Sequence, residues 1–395
     1  MRSARDEIEA VVEERARRDS LDEVASLRSD GHAEQTVRSE YHGRFLIELL
    51  QNARDAAMKA AAGEAAGSCG RLRIELSKGC LVVANQGVAV TPKVLLYSLG
   101  KFGESTKPHG EGIGHKGIGF KSVLEVTLTP ELYSREAPEG PFDLAVRFDP
   151  ERAVELVRAR SQNLSALVEE LPAETVDDPV AAVPVLAFPQ WVDEPVSGWE
   201  GFNTVVRLVH DRRFDELLGL DAGEWQRRAA SAVEALSDQI VVLLAVFDRI
   251  EIAVEGQAEQ VIERRVLAYD GGEVGVSDVE VARGGVLSSR WRLYERSLVG
   301  HEGLSGDLAV GVRLEKRAGR LCPTLPWVDG SGDGGGCFHL FFPTEIRTGL
   351  PFLLHAYFEV NASRTRFARD AEAHNRALLL DGLEVLVADA VAALV

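Results

Sequence analysis

The sequence predicts an α+β protein, and three observations carry that reading. Between Tyr41 and about Ala62, Leu46, Leu49, Leu50, Ala53 and Ala57 fall at the i, i+3, i+4, i+7 spacing of a helix with one buried stripe. After it, RLRIEL (71–76) and CLVVAN (80–85) alternate or run apolar around Ser77, Lys78 and Gly79, as two strands joined by a turn. The chain's 395 residues, 45% of them hydrophobic, suffice for a substantial core and for two or three domains.

The remaining elements follow in order. The first thirty residues read as a polar helix, and TPKVLLYSLG as a short helical piece before a loop rich in glycine and lysine. A helix is expected from Phe120 to about Leu128, a strand at FDLAVRF (142–148) and a polar helix from Pro150 to about Glu170. Pro172, Pro179, Pro184, Pro189 and Pro195 mark an irregular excursion, from which FNTVVRLV (202–209) returns as a strand that can complete the first sheet. A long helical segment is expected from Arg212 to Phe247, then IEIAVEG and further strands, with DGSGDGGG (329–336) as a loop. FHLFFP and FLLHAYFEV read as buried strands, and a helix from about Ala371 ends the chain. The apolar end VLVADAVAALV either packs into a core or leads into a longer protein.

Composition narrows the function classes. No window reaches the eighteen or so apolar residues of a membrane span, and MRSARDEIEAVVEERARRDS has no signal-peptide core, so the cytoplasm is the expected compartment. Cys69, Cys80, Cys322 and Cys337 form no metal-binding spacing or disulfide framework. The net charge of −18 gives no support for binding to nucleic acid or anionic membranes.

Lysine is concentrated instead. Of eight lysines, Lys101, Lys107, Lys116 and Lys121 lie in one arginine-free stretch that also holds most of GEGIGHKGIGFKSV (110–123). Glycine amides beside compact ammonium groups suit a polyphosphate, and a solvated loop explains the same composition. The stretch is not a dinucleotide turn, because the polar KFGESTKPHGE precedes it where a strand should be. Nor is it a P-loop, because Phe120 separates Gly119 from Lys121.

Four separated segments fit a third pattern. ELLQNARDA (48–56), ANQGVAV (84–90), IGHKGIGFKSV (113–123) and FNTVVRL (202–208) resemble, in order, the ATP-binding motifs of the GHKL superfamily of gyrase, heat-shock-90 chaperones, histidine kinases and MutL. Most similar is the sacsin-type N-terminal ATPase domain, and FFPTEIRTGLPFLLHAYFEVNASRTR resembles a segment of the second domain in such proteins. The resemblance implies a Bergerat-type two-layer α/β sandwich over residues 1–211 and a transducer or middle-type α+β domain over 212–395.

The resemblance also assigns roles. Asn52 matches the Mg²⁺ ligand and Glu48, one turn earlier, the general base, with Asp55 organising the helix and its waters. On the helix alone a solvated face is the favoured account of Glu, Asn and Asp at that spacing, and the other three motifs reverse that judgement. Asn85 stands where the family commonly has an adenine-binding aspartate; its oxygen can accept, and its amide can instead donate to a guanine carbonyl. Gly87 lets the base approach the backbone, while Val88 and Ala89 depart from the usual second glycine. Gly114, Gly117, Ile118, Gly119 and Phe120 form the amide clamp of a lid, with Lys107 and Lys116 as phosphate contacts and Lys121 as a weaker candidate. Thr204 matches the hydroxyl of the fourth motif, where a strand residue is the plain alternative. Arg364, with Arg366 as neighbour, matches a second-domain cation that reaches the γ-phosphate; a surface ion pair accounts for either arginine as well.

The implied activity is Mg²⁺-dependent ATP binding and slow hydrolysis that drives lid closure and dimerisation. It belongs to a homodimer or a multi-protein system of chaperone-like or defence type. The alternative is a nucleotide sensor that does not hydrolyse. A histidine kinase is disfavoured, since only about forty residues precede the first motif.

Overall fold

The computed structural model describes residues 3–17, 21–40, 44–63, 70–99, 119–161, 163, 183–271, 274–297, 307–324, 336–361 and 365–392. Among the described residues are fifteen strands, mostly paired antiparallel, and helices throughout, so the chain is mixed α+β. It forms two compact units, one of residues 1–106, 114–235 and 252–259, the other of 107–113, 236–251 and 260–395.

In the first unit, helix α1 (Ala4–Ala16) starts at a reciprocal cap: Ser3 Oγ accepts from Asp6 N at 3.2 Å, and Ser3 N donates to Asp6 Oδ2 at 3.1 Å. It closes at Arg17, so the polar N-terminal helix is followed by a separate one, α2 (Leu21–Glu40). Helix α3 (Phe45–Gly63) buries Leu46, Leu49, Leu50, Ala53 and Ala57, the stripe its period predicts.

Strands β1 (Gly70–Ser77) and β2 (Cys80–Asn85) form the expected hairpin, with Gly79 at φ +83° in the turn. With β3 (Thr129–Ser134), β4 (Leu144–Phe148), β5 (Pro189–Trp191) and β6 (Thr204–Val209) they run in the order β1-β2-β6-β3-β4-β5. The FNTVVRLV segment thus completes the first sheet, pairing antiparallel with both β2 and β3. One face carries Val82, Ala84, Tyr133, Ala145 and Val205, which cluster with Phe202 and Trp199. The opposite face carries Leu81, Val83, Leu132, Val206 and Leu208, all buried, and α3 packs against β2.

Two expectations need correction here. The helix expected over 120–128 is a shorter 3₁₀ helix, Gly119–Glu125, and the chain enters β3 at Thr129. Pro130 disguised that strand; it sits at the strand's start, and Thr127 Oγ1 donates to Val209 O at 2.7 Å beside it. The long helix expected over 212–247 is three helices, α5 (Arg212–Leu218), α6 (Glu224–Glu234) and α7 (Asp238–Leu243), which follow α4 (Pro150–Arg160). Gly219 at φ +60° and Gly223 at φ +82° take left-handed conformations that end one helix and start the next. Trp225 on α6 stacks on His210 and donates to Val126 O at 2.6 Å, so this helix packs with the first unit.

In the second unit, β8 (Gln260–Asp270), β9 (Gly275–Arg283), β10 (Val286–Ser297) and β11 (Asp307–Arg317) form an antiparallel meander. It follows β7 (Phe247–Val254), a strand whose last residues count with the first unit. Beyond β11 come β15 (Leu353–His355), β13 (Cys337–Leu340) and β14 (Phe342–Arg347), with β12 (Arg320–Pro323) also on β11. The FHLFFP run is not one strand, because the chain reverses at Phe341, held at φ +58° between β13 and β14. After α8 (Glu372–Ala377), the terminal helix α9 (Glu384–Ala392) buries Leu386 and Ala390 in a cluster with Leu308, Val310 and Phe358.

Candidate functional site

Helix α3 supplies the most informative surface. Between Leu49 and Ala57 every residue is buried except Asn52 and Ala56, which are half-buried. With half-buried Glu48 they form a line at i, i+4 and i+8 along one side of the helix. Asp55 flanks this line at 6% exposure, and Arg54 Nη1 lies 3.5 Å from its Oδ1. The line ends on the loop after β2, where Val88 N donates to Ala56 O at 3.1 Å.

Gly87 makes that junction possible. Its φ is +150°, and a Cβ there would lie 2.6 Å from Ala56 C and 2.7 Å from Ala57 N. Glycine is thus required by the approach of two backbones, whatever else binds nearby.

Asn85, Thr204 and Ser134 stand in register on β2, β6 and β3, on the face bearing Leu81 and Val83. They form a polar shelf above apolar rows. Ser134 Oγ lies 3.1 Å from Thr204 Oγ1 and accepts from Val90 N at 2.8 Å. Asn85 Nδ2 donates to Gln86 O at 3.1 Å. A carbonyl can only accept, so this contact assigns the amide orientation and takes one of the two Nδ2 hydrogens, and Asn85 offers Oδ1 as an acceptor beside one further N–H.

Two residues absent from the sequence-based site hold this loop. Asn203 Oδ1 accepts from Gly87 N at 3.1 Å, while its Nδ2 donates to Arg135 O and Glu136 O at 3.1 and 2.9 Å. Gln86 Oε1 accepts from Arg71 N at 3.0 Å, and its Nε2 donates to Gly201 O at 2.8 Å. The available signal for Asn203 was a short polar side chain next to the strand's Thr204, a residue type that binds local backbone.

The GIGFKSV segment is described from Gly119 onward. Its 3₁₀ turn packs on α3, and Phe120 is a core side chain, 5% exposed, with its ring 6.1 Å from Phe148. Lys121 is not at a surface that could meet phosphate through its side chain: it is 1% exposed and faces Glu34 and Asp30 of α2. Burial pushes its ammonium down to about 8, against the favourable pull of Glu34. Glu34 is pushed up to about 8 by its own burial, although its carboxylate accepts from Val185 N at 2.7 Å and Leu186 N at 3.1 Å.

Gln51 presents an anomaly on α3. It is 1% exposed, and neither its Oε1 nor its Nε2 meets a hydrogen-bond partner among the described residues. Such an orphaned amide costs roughly 1–3 kcal/mol. By helical spacing it stands beside Glu48 and Asp55.

Lys107, Gly114, Lys116, Gly117, Ile118 and Arg364 lie outside the described residues. In the second unit Arg366 is exposed, and its N–H and that of Thr365 donate to Asn361 Oδ1 at 3.1 and 2.9 Å. The described residues contain no group of three or more His, Cys, Asp or Glu side chains that could hold a metal ion alone. No helix of the described residues is long and apolar enough to cross a membrane. Neither a protein-family model nor a curated protein matches the chain.

Proposed function

We propose that the first unit binds Mg·ATP and hydrolyses it slowly. The observation that carries this reading is the accessible line Glu48–Asn52–Ala56 on an otherwise buried helix, ending at the glycine-led turn that follows Asn85. It unites a base, a neutral oxygen ligand and a base-recognising strand end, in the order that the resemblance to GHKL ATPases implies.

The residues fit the ligands. Magnesium held between phosphates and water needs only one or two protein oxygens, so the Asn52 carboxamide suffices and adds no negative charge beside the phosphates. When bound, the ion neutralises phosphate charge as the terminal phosphoryl group departs. Glu48 takes the proton of the attacking water on its carboxylate. Asn85 Oδ1 accepts from an exocyclic amino group, while Thr204 and Ser134 support it from the shelf below. Arg364, the lid residues Lys107 and Lys116, dimerisation and a chaperone-like or defence role rest on the resemblance alone.

The test is one set of measurements on the full chain: phosphate release, and binding of ATP, GTP and a nonhydrolysable ATP analogue. Glu48→Ala is expected to slow release by about 10²–10⁴-fold. Analogue binding should stay within about threefold of wild type, as for a group acting only in the transition state. With Asn85 Oδ1 accepting from the exocyclic amino group of adenine, ATP should bind at least about tenfold more tightly than GTP. Binding of neither nucleotide sinks the reading; tight binding without release from wild type favours the nonhydrolysing sensor.

A further inference from the structure

We propose that Gln51 is a positioning residue of this site: its buried carboxamide is reserved for a water that the neighbouring Glu48 carboxylate also holds. The inference rests on the ATPase reading above and adds a residue to it.

Both polar atoms of Gln51 are enclosed at 1% exposure with no hydrogen-bond partner among the described residues. Native cores rarely leave such groups, and those that remain call for a functional cause or an ordered water. Purely structural packing does not explain the choice, since a methionine of similar shape would fill the space without desolvating an amide. The position supplies the cause. Gln51 follows Glu48 by three residues and precedes Asp55 by four, so all three side chains share one side of α3 next to Asn52.

A carboxamide suits the task because its oxygen accepts while carrying no charge and taking up no proton. Its oxygen takes one hydrogen of the water while Glu48 takes the other, which directs the water's lone pair away from both. Glu48 then receives the proton as the water oxygen bonds to the terminal phosphorus and the bond to the bridging oxygen breaks, releasing ADP, and Gln51 exchanges no proton. Its contribution is orientation, so its loss should slow turnover and spare affinity.

The experiment compares wild type with Gln51→Met and Gln51→Leu in the full chain. Three quantities are read: melting temperature without nucleotide, affinity for a nonhydrolysable ATP analogue, and the rate of phosphate release. We expect unchanged or raised melting, affinity within about threefold, and release slowed about tenfold or more. A merely structural glutamine would instead give lowered melting in both variants, and that result overturns the proposal. So does release within about twofold of wild type from a folded variant. A wild-type chain that binds no nucleotide brings down the ATPase reading itself, and the positioning role with it. A wild-type chain that binds and hydrolyses, with variants that do so equally, brings down the role of Gln51 alone.

Discussion

Gly87 and Gly79 both adopt positive φ, at +150° and +83°, yet only Gly87 is pressed against another backbone. A Cβ at Gly79 would find His210 Cβ at an ordinary 3.8 Å, so Gly79→Ala should cost only the conformational strain, about 1 kcal/mol. At Gly87 the Cβ would enter the Ala56–Ala57 peptide at 2.6–2.7 Å, with no flexible side chain to move aside. Strain and overpacking then add, and Gly87→Ala should cost roughly 3 kcal/mol. Urea denaturation of the two variants checks this. Equal losses would show that the approach to α3 does not fix Gly87. The same residue scale explains what the sequence hid at the site. Glu48, Asn52 and Asn85 stand out in the sequence because their types and spacing suit the proposed chemistry. The orphaned amide of Gln51 and the clamp of Asn203 on Gly87 depend on distant chain segments, and no local pattern records them.

At the scale of elements, legibility followed local period. Helix α3 and the β1–β2 hairpin were read correctly because a buried stripe and an alternating pair with a turn are each complete within their own segment. Strand β3 was missed because Pro130 argues against a strand locally, and the three helices between 212 and 243 were merged because apolar spacing continues across Gly219 and Gly223. Lys121 was read beside the phosphate loop, whereas the 3₁₀ turn from Gly119 aims it at α2. The resulting contact ties α2, this turn and residues 184–187 around the Glu34 carboxyl, and it has a pH signature. Glu34 is raised from 4.5 to about 8. The unfolded chain therefore releases that proton first, and stability should fall as pH rises from about 4.5 towards 8. Lys121 is lowered from 10.5 to about 8, so its contribution is present above 10.5 and is lost as pH falls towards 8. The pair thus favours a stability minimum near pH 8. Urea midpoints from pH 5 to 10 should show that dip in wild type and lose it in the double variant Glu34→Gln, Lys121→Met. An identical profile in both proteins would remove the pair as its cause.

At the scale of the molecule, every described residue of the proposed site belongs to the first unit, in a chain whose net charge of −18 opposes an anionic ligand. Lys101, Lys107 and Lys116 lie close together in the sequence, and under the proposed function their local field has to overcome the general one. The second unit has its own core, in which β10 and β11 pack against α9 and the segment around Phe358. Nucleotide binding should therefore be felt unevenly. A ligand present at a hundred times its Kd stabilises the state that binds it by about 2.7 kcal/mol. Amides whose exchange requires opening of that state slow accordingly. With the nonhydrolysable analogue, slowed exchange is expected at Leu49–Ala57, at Gln86–Val90 and along β6, because α3, the Gly87 junction and the Asn85–Thr204 shelf must open together to release it. The β9–β10–β11 ladder of the second unit should exchange at an unchanged rate, since none of its residues supplies the proposed site. Hydrogen exchange followed by mass spectrometry resolves these segments. Protection confined to β9–β11, or none at Gln86–Val90, would place the ligand elsewhere and refute the site built on α3.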